Sequence, residues 1–149
     1  MKNIINKYNK YIKMEELLVL TKEESLKYYE NKDYREEINN KNKNISLDLS
    51  CCENIKDVSN LGSVHTLNLT NCQNIKDVSN LGSVHILNLS WCENIKDVSD
   101  LGSVHTLYLS HYSNIKDVSN LGSVHTLYLS YCENIKDIWN LKKIKNWKI

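Results

Sequence analysis

The segment Asn54–Leu67, Asn-Ile-Lys-Asp-Val-Ser-Asn-Leu-Gly-Ser-Val-His-Thr-Leu, recurs unchanged at Asn114–Leu127. The copies at Asn74–Leu87 and Asn94–Leu107 each differ from it at one position, Ile86 and Asp100, and the period throughout is twenty residues. A fixed period in this range specifies stacked supersecondary units, none able to bury its apolar side alone. One unit and its stacking therefore set the architecture. Function becomes a question about a surface, and the positions where the copies differ carry most of the information.

A chain of 149 residues is one domain, or one domain with a short extension. Its formal net charge of +1 offers no basic field to nucleic acid or to an anionic membrane. The longest purely aliphatic run, Leu17–Leu20, is far below the ~18–20 residues of a membrane span. The first residues lack the apolar stretch of a secretory signal, so an intracellular, cytoplasmic protein is expected. Four of the five cysteines (Cys52, Cys72, Cys92 and Cys132) keep the repeat phase, and Cys51 stands outside it. Phase-locked cysteines mark a repeat position rather than a disulfide framework, so reduced thiols are expected.

Residues 1–43 precede the repeat and carry helical signals. Thr21-Lys-Glu-Glu24 is a capping-box pattern, predicting a helix over about 22–29 with Leu26 and Tyr29 on one face. Asp33 is a candidate cap for a second helix through Ile38, Met14–Leu20 a third helical candidate, and Asn39–Asn44 a polar linker. Residues 44–149 keep the phase. With Val64 as position one, apolar residues fall at positions one, four, six, nine, twelve, fifteen and eighteen: Val64, Leu67, Leu69, Cys72, Ile75, Val78 and Leu81. The alternation Leu67-x-Leu69 marks a short strand, and the later steps of three suit a 3₁₀-like return. Asp77 and Ser79 can cap backbone N–H groups of that return, and Gly82 permits the corner before the next strand.

Val64-x-x-Leu67-x-Leu69-x-x-Cys72-x-x-Ile75 resembles the leucine-rich repeat, in a cysteine-containing, twenty-residue form. The resemblance covers five repeats and the start of a sixth at Ile144–Ile149. It implies an α/β repeat solenoid: parallel strands on a concave face, short 3₁₀ or extended returns on the convex side, and a binding role. Terminal units need covers. Residues 12–38 are the candidate helical cap at one end. Lys142, Lys143, Lys145 and Lys148 crowd the last rung, where lysine discourages strand addition by another chain.

Several columns invite chemistry. The cysteine column suits a small buried hydrophobe, since stacked rungs present parallel rather than converging ligands. The column His65, His85, His105 and His125 could titrate as a coupled set, but no carboxylate or cysteine completes a metal motif. The pairs Lys56-Asp57, Lys76-Asp77, Lys96-Asp97, Lys116-Asp117 and Lys136-Asp137 read as a solvated convex face. Variation concentrates on the strand columns expected to face the concave side. Position five reads Asp48, Asn68, Asn88, Tyr108, Tyr128, and position eight reads Cys51, Asn71, Trp91, His111, Tyr131. The expected contact patch is Trp91, Tyr108, His111, Tyr128 and Tyr131, with Asp48, Asn68 and Asn88 on its polar side, because Tyr and Trp are favoured interface anchors. In the fourth copy Tyr112 replaces the cysteine; either the turn opens for its ring or the ring joins the patch.

No nucleophile–base constellation, phosphate-cradling Gly motif or carboxylate pair stands outside the repeat. The expectation is a non-enzymatic protein-binding scaffold with no cofactor, no metal, no nucleic-acid partner and no membrane partner. A second reading rests on resemblance. Leu17-Leu18-Val19-Leu20-Thr21-Lys22, then Tyr28-Tyr29 and Asp33-Tyr34-Arg35, is similar to the second half of an F-box. That resemblance implies a substrate-recognition subunit of an SCF-type ubiquitin ligase, with a Skp-type adaptor as partner. Such proteins are abundant in large DNA viruses and amoebae, which places a viral member in the cytoplasm of an infected host cell.

Overall fold

The structure is a computed structural model that describes residues 16–112, 114–135, 141 and 146–148. One sheet of seven short strands runs through it, every pairing parallel and the spatial order the same as the chain order. The strands are β1 (Leu18–Val19), β2 (Ile45–Asp48), β3 (Thr66–Asn68), β4 (Ile86–Asn88), β5 (Thr106–Tyr108), β6 (Thr126–Tyr128) and β7 (Asn146–Lys148). From β2 onward the register advances one copy per strand: Ser46, Thr66, Ile86, Thr106, Thr126 and Asn146 lie in one row. The rungs that begin at β2, β3 and β4 are each a strand, a tight turn, and a return through a single 3₁₀ segment, as at Ser59–Leu61 and Ser79–Leu81.

The seven apolar columns form the core. Val64, Leu67, Leu69, Cys72, Ile75, Val78 and Leu81 are all buried, and so are their equivalents in the next two copies, Tyr112 included. Two polar columns and a glycine column complete the stacking. Asp57, Asp77, Asp97 and Asp117 each accept, through Oδ1, the backbone N–H of the serine two residues on, at 2.8–2.9 Å. Asn74, Asn94 and Asn114 each donate through Nδ2 to a carbonyl of the preceding rung: Glu53, Gln73 and Glu93. The glycine column serves close approach. Gly62 and Gly82 have φ of −64° and −60°, which any residue adopts, so the expected conformational corner is not their reason. A Cβ on Gly82 would instead collide with the carbonyl oxygen of Asp100 on the next rung, and one on Gly62 with that of Asn80.

The N-terminal cap differs from expectation in two elements. The capping box is present: Thr21 accepts from Glu24 N–H, Glu24 reaches back to Thr21 N–H, and α1 spans Lys22–Glu30. Its buried face centres on Ser25 and Tyr28, with Leu26 and Tyr29 half-buried at its margins. Helix α2 (Lys32–Lys41) is capped by Asn31, not Asp33, and runs through the first half of the expected linker, with Asn42 as its C-cap. In the Met14–Leu20 stretch, the described residues hold a strand. Leu18 and Leu20 donate N–H to the Asn44 and Ser46 carbonyls, so β1 covers the first rung by parallel pairing. At the other end β7 pairs with β6, Trp147 in register with Leu127. Lys142, Lys143, Lys145 and the pair Lys136-Asp137 lie outside the described residues. Among the described residues, no helix is long and apolar enough to cross a membrane.

Candidate functional site

Cysteine and histidine columns have local explanations. The thiols of Cys72, Cys92 and Cys132 donate to the carbonyls of Leu49, Leu69 and Leu109 on the preceding rung, at 3.1, 3.0 and 2.8 Å. Tyr112 hydroxyl makes the equivalent bond to Leu89, so the ring enters the core instead of joining the surface. Its rung accommodates the bulk by giving up the hydrogen-bonded turn present at 50–51, 70–71, 90–91 and 130–131. Burial pushes the Cys72 thiol up to about 12, a hydrogen-bond donor rather than a thiolate ligand. The four imidazoles form a row with centroids 4.7, 4.4 and 4.4 Å apart, His65 tilted 38° to His85 and the other two pairs stacked, and such a row holds its nitrogens side by side instead of aiming them at a common point. Among the described residues, no group of three or more His, Cys, Asp or Glu side chains could hold a metal ion.

Position five divides into two chemistries. Asp48, Asn68 and Asn88 each turn an Oδ1 onto the backbone N–H two residues on: Ser50, Thr70 and Ser90, at 3.0–3.1 Å. Asn68 also donates to Asp48 at 3.1 Å. Burial opposes the charge on Asp48, but the Ser50 bonds, Lys22 and Asn68 outweigh it and hold the carboxyl below the usual range. These three side chains are committed to the turn after the strand. The signal was in the sequence: Asx followed two residues later by Ser or Thr is a turn-capping pattern. On the next two rungs Tyr108 and Tyr128 stack face to face, centroids 4.3 Å apart and planes within 5°. There the Ser110 N–H takes the Ser90 hydroxyl of the rung before it.

Position eight lies three residues past the strand end, and its geometry is unusual. Strand alternation would send an even position inward, yet Cys51, Asn71, Trp91 and Tyr131 are exposed and His111 is half-exposed. A left-handed backbone turns them out: φ is 56° at Cys51, 59° at Asn71, 66° at Trp91, 63° at His111 and 60° at Tyr131. The N–H of each of the first four is held by the position-seven carbonyl of the next rung, from Cys51 on Thr70 to His111 on Ser130, at 2.7–3.1 Å. Asn and His are enriched in this region among non-glycine residues, whereas Trp and Tyr rarely enter it. The three rings form a continuous stack, Trp91 to His111 at 3.7 Å and His111 to Tyr131 at 4.5 Å. The structure thus brings the five expected patch residues into two stacked aromatic rows on the last three full rungs, and leaves the three polar residues in turn caps.

A stacked row hides ring faces and presents ring edges. Those edges carry the indole N–H of Trp91, the imidazole of His111 and the hydroxyl of Tyr131, so the surface offers directed polar groups on an apolar support. Between the returns lie a hollow of about 60 Å³ lined by Lys96, Asp97, Ser99, Asp117 and Ser119 and one of about 230 Å³ lined by Lys76, Asp77, Ser79, Asp97 and Asp100. No protein-family model and no curated protein matches the chain.

Proposed function

We propose that the chain is a non-enzymatic protein-binding module of leucine-rich-repeat type, engaging a protein partner through the aromatic end of its strand face. The contact residues are Trp91, Tyr108, His111, Tyr128 and Tyr131. The repeated parallel strands and 3₁₀ returns support the family reading, although no family model matches.

One observation carries the binding reading: bulky rings occupy left-handed positions that the fold fills elsewhere with Asn71. A non-glycine residue there costs roughly 1–2 kcal/mol, and an aromatic stack returns about 0.5–1.5 kcal/mol. Folding therefore gains little from the rings, and strain of this kind gathers where function uses it. A preformed sheet also limits the ordering cost of association.

The test is affinity capture with the full chain and with a Trp91→Ala, Tyr108→Ala, Tyr128→Ala variant. The variant should lose a partner that the unaltered chain recovers, with its unfolding transition still cooperative. A Lys76→Ala, Lys96→Ala variant on the return side should keep it. Equal loss from both variants would overturn the reading. The F-box-like segment has no observation of its own in favour of a ligase role, because Leu20 and Tyr28 are buried against the first rung and Arg35 donates to the Tyr28 and Tyr29 carbonyls. Recovery of a Skp-type adaptor by both variants would replace the scaffold reading with the ligase one.

A further inference from the structure

We propose that the column His65–His85–His105–His125 is an acid-responsive element. Above the imidazole range it is a neutral stack supporting four consecutive rungs. On acidification, like charges on neighbouring rings repel and loosen those rungs. The inference stands apart from the binding reading, because it concerns the opposite end of the strands.

Geometry sets the coupling. The four rings are consecutive neighbours at 4.4–4.7 Å, closer than any screening length at physiological salt. Two imidazolium ions at that separation repel, so each proton bound raises the cost of the next. The Nδ1 atoms of His65, His105 and His125 lie 3.0–3.2 Å from the hydroxyl oxygens of Thr66, Thr106 and Thr126. His85 is followed by Ile86 and has no such hydroxyl beside it. It also has a ring on each side, His65 tilted at 38° and His105 stacked. Partial burial, then His105 and His65, hold its proton affinity below the ordinary imidazole value.

Among the described residues, the carboxylates on the elements adjoining the column are Asp48 on β2 and Asp100 on the return that leads into β5, and the charges that act on His85 are those of His105 and His65. Asp48 is the one carboxylate in positions two to seven of the copies, and it is engaged by Ser50, Asn68 and Lys22. On the rung before His65 the equivalent position is held by Ile45, an apolar residue at the start of β2. His111, the remaining histidine, sits at the far end of the strands in the Trp91–Tyr131 stack.

The sign follows from linkage. The folded state binds protons more weakly at His85 than the unfolded chain, so stability is full above about pH 7 and falls as pH drops through ~6.5 toward the lower folded value. Shifted carboxyls do not compete in this window, because Asp48, Asp57, Asp77, Asp97, Asp117, Glu24 and Glu37 are all held below their usual range.

Two measurements on the full chain test the proposal. The first follows the histidine ring protons by NMR from about pH 8 to pH 5, folded and in urea. The folded curves should be broader than single-site titrations, and one should sit below its urea counterpart. Four independent curves coinciding with the unfolded ones would overturn the idea. The second compares melting at about pH 7 and pH 5.5 for the unaltered chain and for a His85→Gln, His105→Gln variant. The unaltered chain should lose about 2–4 °C for each imidazole whose folded proton affinity falls tenfold. The variant, in which no two column histidines remain adjacent, should lose clearly less. An equal loss in both would overturn the proposal.

Discussion

Trp91 and His111 lie face to face, centroids 3.7 Å apart and planes 15° from parallel, and both hold this pose from a left-handed backbone. The stack and the strain oppose each other within one column. Replacing Trp91 with Asn removes the stack but relieves the backbone, since Asn enters that region at low cost. The two effects are of similar size, so Trp91→Asn should change unfolding free energy by less than about 1 kcal/mol. Urea denaturation measures it. A loss well above that would show that the ring is needed for folding, and the argument for a binding role would lose its basis.

Tyr112 and Leu89 make a second prediction. The Leu89 carbonyl accepts from both the Tyr112 hydroxyl and the Cys92 N–H. Tyr112→Phe keeps the ring volume and leaves that carbonyl one partner, so the cost is the net value of one hydrogen bond, about 0.5–1.5 kcal/mol, and not the larger penalty of an orphaned group. Tyr112→Ala instead empties a fully buried ring site and should cost about 3–5 kcal/mol. Equilibrium unfolding of the pair separates them. Equal losses would mean that the ring is not packed as described.

Repetition made the core columns readable, because Leu67, Ile75 and Val78 fall at fixed spacings whose burial depends only on stacking a like rung. Three features were out of reach of that logic. Leu17–Leu20 reads as helix from local propensity, yet Leu18 and Leu20 pair with the first repeat, a contact more than twenty residues away in sequence. Position eight reads as concave-facing by its residue types, but strand alternation alone would send it inward, and the left-handed turn at Asn71 and its equivalents is what turns it out. The polar members of position five look like surface variation, whereas Asn68 and Asn88 are spent on backbone N–H groups two residues on. The candidate patch was therefore identified by residue type, but its division into aromatic rows and turn caps required backbone geometry.

Gly82 gives a third prediction. Its φ of −60° suits any L-residue, so conformational preference alone would favour alanine there. The Asp100 carbonyl on the next rung leaves no room for a Cβ, and backbone cannot swing aside as a side-chain tip can. Gly82→Ala should destabilise the protein by about 1–3 kcal/mol through overpacking. A neutral or stabilising result in thermal or denaturant melts would show that the rungs separate easily. The stacking model of the return side would then need revision.

The thiols provide the last test. Cys51 is exposed in the position-eight column, whereas Cys72 and Cys92 are buried and donate to the Leu49 and Leu69 carbonyls. Alkylation requires thiolate and access together. Burial denies Cys72 both, with its thiol pushed up to about 12, and it also raises Cys92. Cys132, half-buried and likewise raised by burial, should react slowly. Brief iodoacetamide treatment of the native chain near pH 8, read by peptide mass spectrometry, should modify Cys51 first and leave Cys72 and Cys92 intact until denaturant is added. Early labelling of Cys72 would contradict the hydrogen-bonded core column. Because that residue lies at the second full rung, it would also imply that the cap formed by β1 and α1 opens readily.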